Sequence, residues 1–243
     1  MNADYIELDL HMTKDGEFVA IHDATLERTT NVEEVYPNRA PWRVKDFTLA
    51  EIKKLDAGSW FNDAYPKYAK KAYANEKIPT LQEAINVIKQ TNPKAALYIE
   101  TKEPSVYPVM EEKLVDMLKK DGYLQKGKVI FQSFSEASLR KLKKLVPEGI
   151  PLIQLYSPAM MKGKNIDDVL NRASEYADGI APDQALVTHE LVQKAHERHL
   201  IVHPYTVNAK EDMRKQISLG VDGMFTDYPD QLAQWNKETF TAK

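Results

Sequence analysis

Two carboxylates lie two residues apart in Tyr5-Ile6-Glu7-Leu8-Asp9-Leu10, and a third stands in Leu97-Tyr98-Ile99-Glu100-Thr101-Lys102. Side chains alternate across an extended chain, so Glu7 and Asp9 share one face of a strand while Ile6, Leu8 and Leu10 take the other. In a barrel strand the apolar face meets the helices, which points both acids toward the axis, near the C-terminal rim. The second segment repeats the arrangement, with Tyr98, Glu100 and Lys102 on one face. Carboxylates held together away from water repel one another and need a cation or a shared proton. With no cysteine in the chain and little histidine nearby, three converging carboxylates suit a hard ion such as calcium or magnesium. Ion pairs with nearby Lys or Arg, and an acid pair sharing a proton, are the other two readings the spacing leaves open. A glycosidase pair must flank a bond at a defined separation, which adjacent positions on one strand do not suit.

His22 closes the run Glu17-Phe18-Val19-Ala20-Ile21-His22-Asp23. A lone histidine is as a rule a framework residue. Near a carboxylate-bound cation it becomes a natural general acid or base, because imidazole titrates close to neutrality. Lys102 and Gln132 fall at the ends of predicted strands, where a cationic donor and an amide could meet a phosphate or hydroxyl. Tyr205 could wall a small organic group or simply pack. His189, His196 and His199 sit on or beside a predicted outer helix and read as surface polar positions, His203 begins a strand, and the direction of His11 is left open.

The elements that must position these groups form a regular series. The first strand is followed by a turn at Lys14-Asp15-Gly16 and a second strand over 17–23, a hairpin pattern. Residues 23–79 carry less periodicity and many aromatic and proline punctuations, and read as an ordered excursion with one short helix near 49–55. Thr80-Leu81-Gln82-Glu83 is a capping box for a helix to about residue 90. Beyond it strands at 96–101, 129–132, 151–155, 178–181, 201–206 and 221–226 alternate with helices at about 107–120, 136–145, 166–175, 188–199 and 209–219. Strands separated by helices imply parallel pairing, hence an α/β chain. About seven βα strands result where a (β/α)8 barrel has eight. A doubly wound open sheet needs no eighth strand, but no Gly-rich phosphate loop follows any predicted strand. The expectation is therefore a TIM-type barrel with its first βα unit missing from the chain, and one domain over 1–243 with an insertion at about 11–78.

Composition narrows the function classes. The chain has 243 residues, 43% hydrophobic and 28% charged, which fits a folded domain and not a disordered one. Its net charge of −3 offers no overall cationic footprint for a nucleic-acid backbone. No run approaches the length of a membrane-spanning segment, and the start Met1-Asn2-Ala3-Asp4-Tyr5 lacks the basic region and apolar core of a signal peptide. Neither cysteine nor the N-terminus decides between a cytoplasmic and a secreted location, and the oligomeric state is not written in the sequence.

Several ordered motifs carry a specific likeness. Tyr5-Ile6-Glu7-Leu8-Asp9, Thr13-Lys14-Asp15-Gly16, Val19-Ala20-Ile21-His22-Asp23 and Leu26-Glu27-Arg28-Thr29-Thr30 are followed by Leu55-Asp56-Ala57-Gly58-Ser59-Trp60 and Ile78-Pro79-Thr80-Leu81. Ile99-Glu100-Thr101-Lys102, Gln132-Ser133-Phe134, Tyr205-Thr206-Val207-Asn208, Gly220-Val221-Asp222-Gly223 and Thr226-Asp227 complete the series. The chain resembles the glycerophosphodiester phosphodiesterase family over essentially its whole length. That resemblance implies Glu7, Asp9 and Glu100 as metal carboxylates, with Ca2+ or alternatively Mg2+ as the cofactor, and His22 as one of two catalytic histidines. It implies Lys102 as a phosphate-side contact and Tyr205 as an aromatic against the glycerol; Gln132, from its strand-end position, is a further expected substrate contact. The family's His-Arg-Gly and Pro-Glu-Asn motifs are not present, in agreement with the strand count. A truncated gene model or incomplete chain is the simplest account, with a short, catalytically impaired barrel that binds phosphate esters as the alternative.

The resemblance further implies general acid–base hydrolysis of a small glycerophosphodiester to glycerol 3-phosphate and an alcohol, by way of a cyclic glycerol phosphate. A lipid phosphodiesterase of phospholipase D or sphingomyelinase type is the enzymatic rival. Trp42, Trp60, Phe61 and the tyrosines of residues 36–75 are the feature that would favour it.

Overall fold

A computed structural model describes residues 3–240, with side chains to residue 234; Met1, Asn2 and 241–243, the ends of the expected domain, lie outside the described residues. The chain opens in the expected hairpin. β1 (Tyr5–Met12) pairs antiparallel with β2 (Phe18–Ala20), Leu10 opposite Ala20 and His11 opposite Val19. The turn is fixed by Thr13, whose Oγ1 donates to Asp15 Oδ1 (2.6 Å) and accepts from the Glu17 N–H (2.9 Å).

Five further strands follow: β3 (Ala96–Thr101), β4 (Val129–Ser133), β5 (Leu152–Tyr156), β6 (Gly179–Pro182) and β7 (Ile201–Val202). The sheet order is β2-β1-β3-β4-β5-β6-β7, and β4 to β7 pair in parallel. Every residue of β3, β4, β5 and β6 is buried, as expected of strands covered on both faces. Helices at Leu81–Thr91, Met110–Lys120, Glu136–Leu145, Ile166–Ser174, His189–His196 and Lys210–Ser218 lie between the strands or beyond the last, close to the expected bounds. The capping box of the first is present, Thr80 and Glu83 each accepting the other's backbone N–H.

One expected strand does not form. Residues 221–226 have no regular ladder and β7 stops at Val202, not 206. The cause is donor chemistry. Pro182 and Pro204 carry no N–H to continue the pairing on either side, and the Val202 N–H is taken by the Asp222 side chain at 2.8 Å. Asp222 N–H still reaches the Val202 carbonyl (3.0 Å), Phe225 N–H the Pro204 carbonyl (3.0 Å) and Val207 N–H the Phe225 carbonyl (2.8 Å), so the segment runs beside residues 202–207 without a regular ladder.

Two compact units divide the chain. Of the described residues, one comprises 3–7, 95–99 and 111–240. Its apolar core includes Leu170, Ala173, Ile180, Leu191, Ala195 and Val202, with a second cluster of Tyr98, Ile130, Ile153, Leu155 and Ala181. Gly179 is required there, because a Cβ would sit 2.4 Å from Ile201 Cγ1 and 2.6 Å from the Ile201 carbonyl oxygen.

The other unit comprises Leu8–Lys94 and Glu100–Met110 and contains the excursion. It has a core of its own, Val19, Leu26, Val32, Val44, Phe47, Ile52, Leu55 and Ile78, each contributing about 1.5–3 kcal/mol by leaving water. Beyond the expected short helix, which forms at Leu49–Ile52 under a Thr48 capping box, there are helices at Val32–Val35 and Ser59–Ala64. Polar side chains close the gaps that periodic structure would otherwise fill. Asn31 Oδ1 accepts from Asp56 N–H (2.8 Å), and Lys53 Nζ donates to the Ile78 carbonyl (2.7 Å). Among the described residues no helix is long and apolar enough to cross a membrane.

Candidate active site

Alternation along β1 and β3 does what the spacing required. Glu7 and Asp9 of β1 and Glu100 of β3 each offer a carboxylate oxygen, and these oxygens lie within 4.8 Å of one another. Glu7 accepts from Gln132 Nε2 at 3.0 Å, a bond from β4 that orients it. Lys102 Nζ stands 3.0 Å from Glu100 Oε1 and 3.3 Å from Asp9 Oδ1. The ion-pair alternative left open by the sequence is thus realised for two of the three acids, and the third is held by an amide.

One ammonium does not balance this group. Burial pushes the Glu100 carboxyl up to about 8, Lys102 opposing that shift and Asp9 adding to it. Lys102 itself is raised, burial working against the two carboxylates and losing to them. Three acidic oxygen donors with a shortfall of positive charge fit a hard divalent cation, and no nitrogen or sulfur ligand competes for it among the described residues of the cluster.

His22 lies two residues past the end of β2. Ile21 N–H donates to the Asp9 carbonyl at 3.0 Å, so the histidine is one residue beyond a backbone bond to a cluster residue. Its ring is well exposed, and Nδ1 lies 2.8 Å from Asp23 Oδ1. Asp23 in turn accepts from both Arg28 Nη2 (2.8 Å) and Arg28 Nε (2.5 Å). The Arg28 hydrogen bonds, together with that from His22, hold the Asp23 carboxyl down at about 2. A permanently ionised Asp23 favours the ring with its proton on Nδ1, which leaves Nε2 as the nitrogen presented outward.

Sequence reasoning singled out neither Asp23 nor Arg28 for a role, although both lie in the quoted motifs; an Arg five residues after a His-Asp pair was the available signal. It also left His11 undirected. The structure buries His11 two residues past Asp9, its Nδ1 3.4 Å from the hydroxyl of Tyr107, and burial lowers its affinity for a second proton. The same burial pushes the Tyr107 hydroxyl up to about 12.

The remaining candidates separate. Gln132 is buried, and its Oε1 has no hydrogen-bond partner. Tyr205 donates to the Tyr156 carbonyl (3.1 Å) and meets Phe134 edge-on at 6.0 Å. His203 packs inside, Nδ1 3.2 Å from the Tyr98 hydroxyl, with burial lowering its pKa. His196 is engaged at the surface, Nε2 2.9 Å from Asp222 Oδ2.

Sequential βα units on a largely parallel sheet, with a cluster of acids on adjacent strands, define an α/β chain of the TIM-barrel class. The family model for the glycerophosphoryl diester phosphodiesterase family matches residues 1–231, and the chain belongs to that family. It is 47% identical over 234 residues to the glycerophosphodiester phosphodiesterase of Bacillus subtilis (strain 168), covering 95% of this chain and 75% of that protein. It is 38% identical to the enzyme of the same name from Caldanaerobacter subterraneus subsp. tengcongensis, over 96% of this chain and 85% of that protein. An Oleispira antarctica phosphodiesterase solved in complex with the product sn-glycerol-3-phosphate superposes with a TM-score of 0.76 at 28% identity, covering 95% of this chain and 84% of that one.

Proposed function

We propose that this chain hydrolyses glycerophosphodiesters to glycerol 3-phosphate and an alcohol, with Glu7, Asp9 and Glu100 holding one divalent cation, Ca2+ or alternatively Mg2+. The observation that carries this reading is the convergence of the three carboxylate oxygens within 4.8 Å on adjacent strands. Family membership and the product-bound Oleispira relative supply the substrate class.

A bound cation would supply neutralisation of phosphate charge at the cluster. The chain's own residues do the rest. Gln132 fixes the Glu7 carboxylate, and Lys102 adds a buried positive charge facing the same acids as a phosphate-side contact. His22, with Nδ1 engaged by Asp23, exchanges protons through Nε2, taking one from an attacking hydroxyl or giving one to the departing alcohol. Asp23 and Arg28 position that ring. Tyr205 gives the glycerol an apolar wall, and Gln132 Oε1 is a candidate acceptor for a glycerol hydroxyl.

Release of glycerol 3-phosphate from glycerophosphocholine, followed with and without a chelator, tests the reading. Turnover that a chelator abolishes and calcium or magnesium restores is the expected result. Turnover indifferent to chelation would remove the metal from the mechanism, and preference for intact lysophospholipid would favour the lipid phosphodiesterase instead.

A further inference from the structure

The excursion carries a surface that the chemistry of a small diester does not use. Residues 64–73, Ala-Tyr-Pro-Lys-Tyr-Ala-Lys-Lys-Ala-Tyr, contain three lysines and no carboxylate in a chain whose net charge is −3. All of residues 64–72 are exposed, with Tyr65 at 48% and Tyr68 at 51% among the most exposed large side chains of the described residues. Two of the three lysines lie over rings: Lys67 Nζ is 5.8 Å from the Tyr68 centroid, and Lys70 Nζ 5.4 Å from that of Tyr73.

The surface is built. Phe61 anchors it from below, 5.0 Å from Tyr65 and 5.7 Å from Tyr73 between ring centroids, with Trp60 beside it at 5.9 Å. Asn62 clamps the two short turns, Nδ2 donating to the Lys70 carbonyl (3.0 Å) and Oδ1 accepting from the Lys70 N–H (2.9 Å). Gly58 lets the chain return, since a Cβ there would stand 1.7 Å from the Tyr73 carbonyl oxygen. Arg28, which holds Asp23, also lies 5.9 Å from the Trp60 ring, so the patch adjoins the His22 group.

From this arrangement we infer that residues 64–73 dock the protein on an anionic lipid surface. Charge complementarity selects the partner. Lys67 and Lys70 hold their ammonium groups beside the Tyr68 and Tyr73 rings on an exposed surface, where they can meet anionic headgroups, and tyrosines are side chains that rest with a ring in the interface and a hydroxyl in water. A soluble polyanion would need the lysines alone. A quaternary-ammonium headgroup would need ring faces that Lys67 and Lys70 already cover.

Sedimentation of the full chain with phosphatidylcholine vesicles, with and without phosphatidylglycerol, tests this. Binding is expected only when phosphatidylglycerol is present and should weaken with salt. A K67E/K70E/K71E variant should lose about a hundredfold in vesicle partition, roughly a factor of five for each lysine. Tyr65→Ser with Tyr68→Ser should weaken it further while leaving a soluble polyanion such as polyphosphate unaffected. Turnover of soluble glycerophosphocholine should be unchanged in every variant, which separates this docking from the catalytic reading. Equal partition of the wild-type protein and the charge-reversed variant, or binding to polyphosphate that the tyrosine changes weaken as much as vesicle binding, would overturn the inference.

Discussion

Two groups of acids and bases behave in opposite ways. Glu100 is buried and Asp9 and Lys102 are partly buried, no side chain of the three more than 17% exposed, and burial raises Glu100 to about 8. His22, Asp23 and Arg28 are far more open, at 66%, 25% and 53%, and hydrogen bonds depress Asp23 to about 2. Each has carboxylate and cation in contact. The difference is whether the positive charge suffices for the desolvation imposed. The exposed group is electrically complete and can orient a ring. The buried one is short of charge, which makes it receptive to an ion and unsuited to serve as a simple structural ion pair.

The comparison breaks most sharply at His22. His22→Ala should cut turnover by about 10²–10⁴-fold while calcium affinity, measured by calorimetry, stays at the wild-type level. Loss of calcium binding in that variant would merge the two groups into one. Glu100→Gln or Glu7→Gln should instead lower metal affinity and turnover together, turnover by about a hundredfold or more. Retained affinity in both would mean that Glu100 serves only the Lys102 ion pair and Glu7 only the Gln132 hydrogen bond.

Subtler changes sharpen the contrast. Asp23→Asn should reduce kcat about tenfold with KM little altered, and should erase the downfield proton resonance of a His22 Nδ1–H bonded to carboxylate. An unchanged resonance would show that Asp23 does not orient the ring. The smallest effect is on stability. Because the folded-state pKa of Asp23 is depressed, its contribution is present above the unfolded carboxyl value and is lost as pH falls through about 2. Solvent screening limits it to about 1 kcal/mol. Acid unfolding curves of wild type and Asp23→Asn should therefore converge below about pH 2 and separate above about pH 4.

How much of this was legible depended on the kind of order. Thr80 and Glu83 announce a helix because the capping box is local, and the alternation after residue 96 follows from periodicity alone. The three carboxylates were legible for the same reason, since two of them share a strand face by spacing. The strand expected at 221–226 was not, because its failure depends on Pro204, distant in sequence, having no donor to offer it and on Asp222 occupying the Val202 N–H. His11 and the Asp23–Arg28 fork were hidden likewise. Their roles depend on burial against Tyr107 and on a five-residue return of the chain, neither of which has a period.

The hairpin sets a limit on how this chain can vary. Asp9 and His22 hang from one antiparallel register, in which Leu10 faces Ala20 and Ile21 bonds the Asp9 carbonyl. Inserting or deleting a single residue in the Thr13–Glu17 turn would slide β2 along β1 and turn its side chains to the opposite face. Relatives that keep both groups are thus expected to conserve the length of this turn.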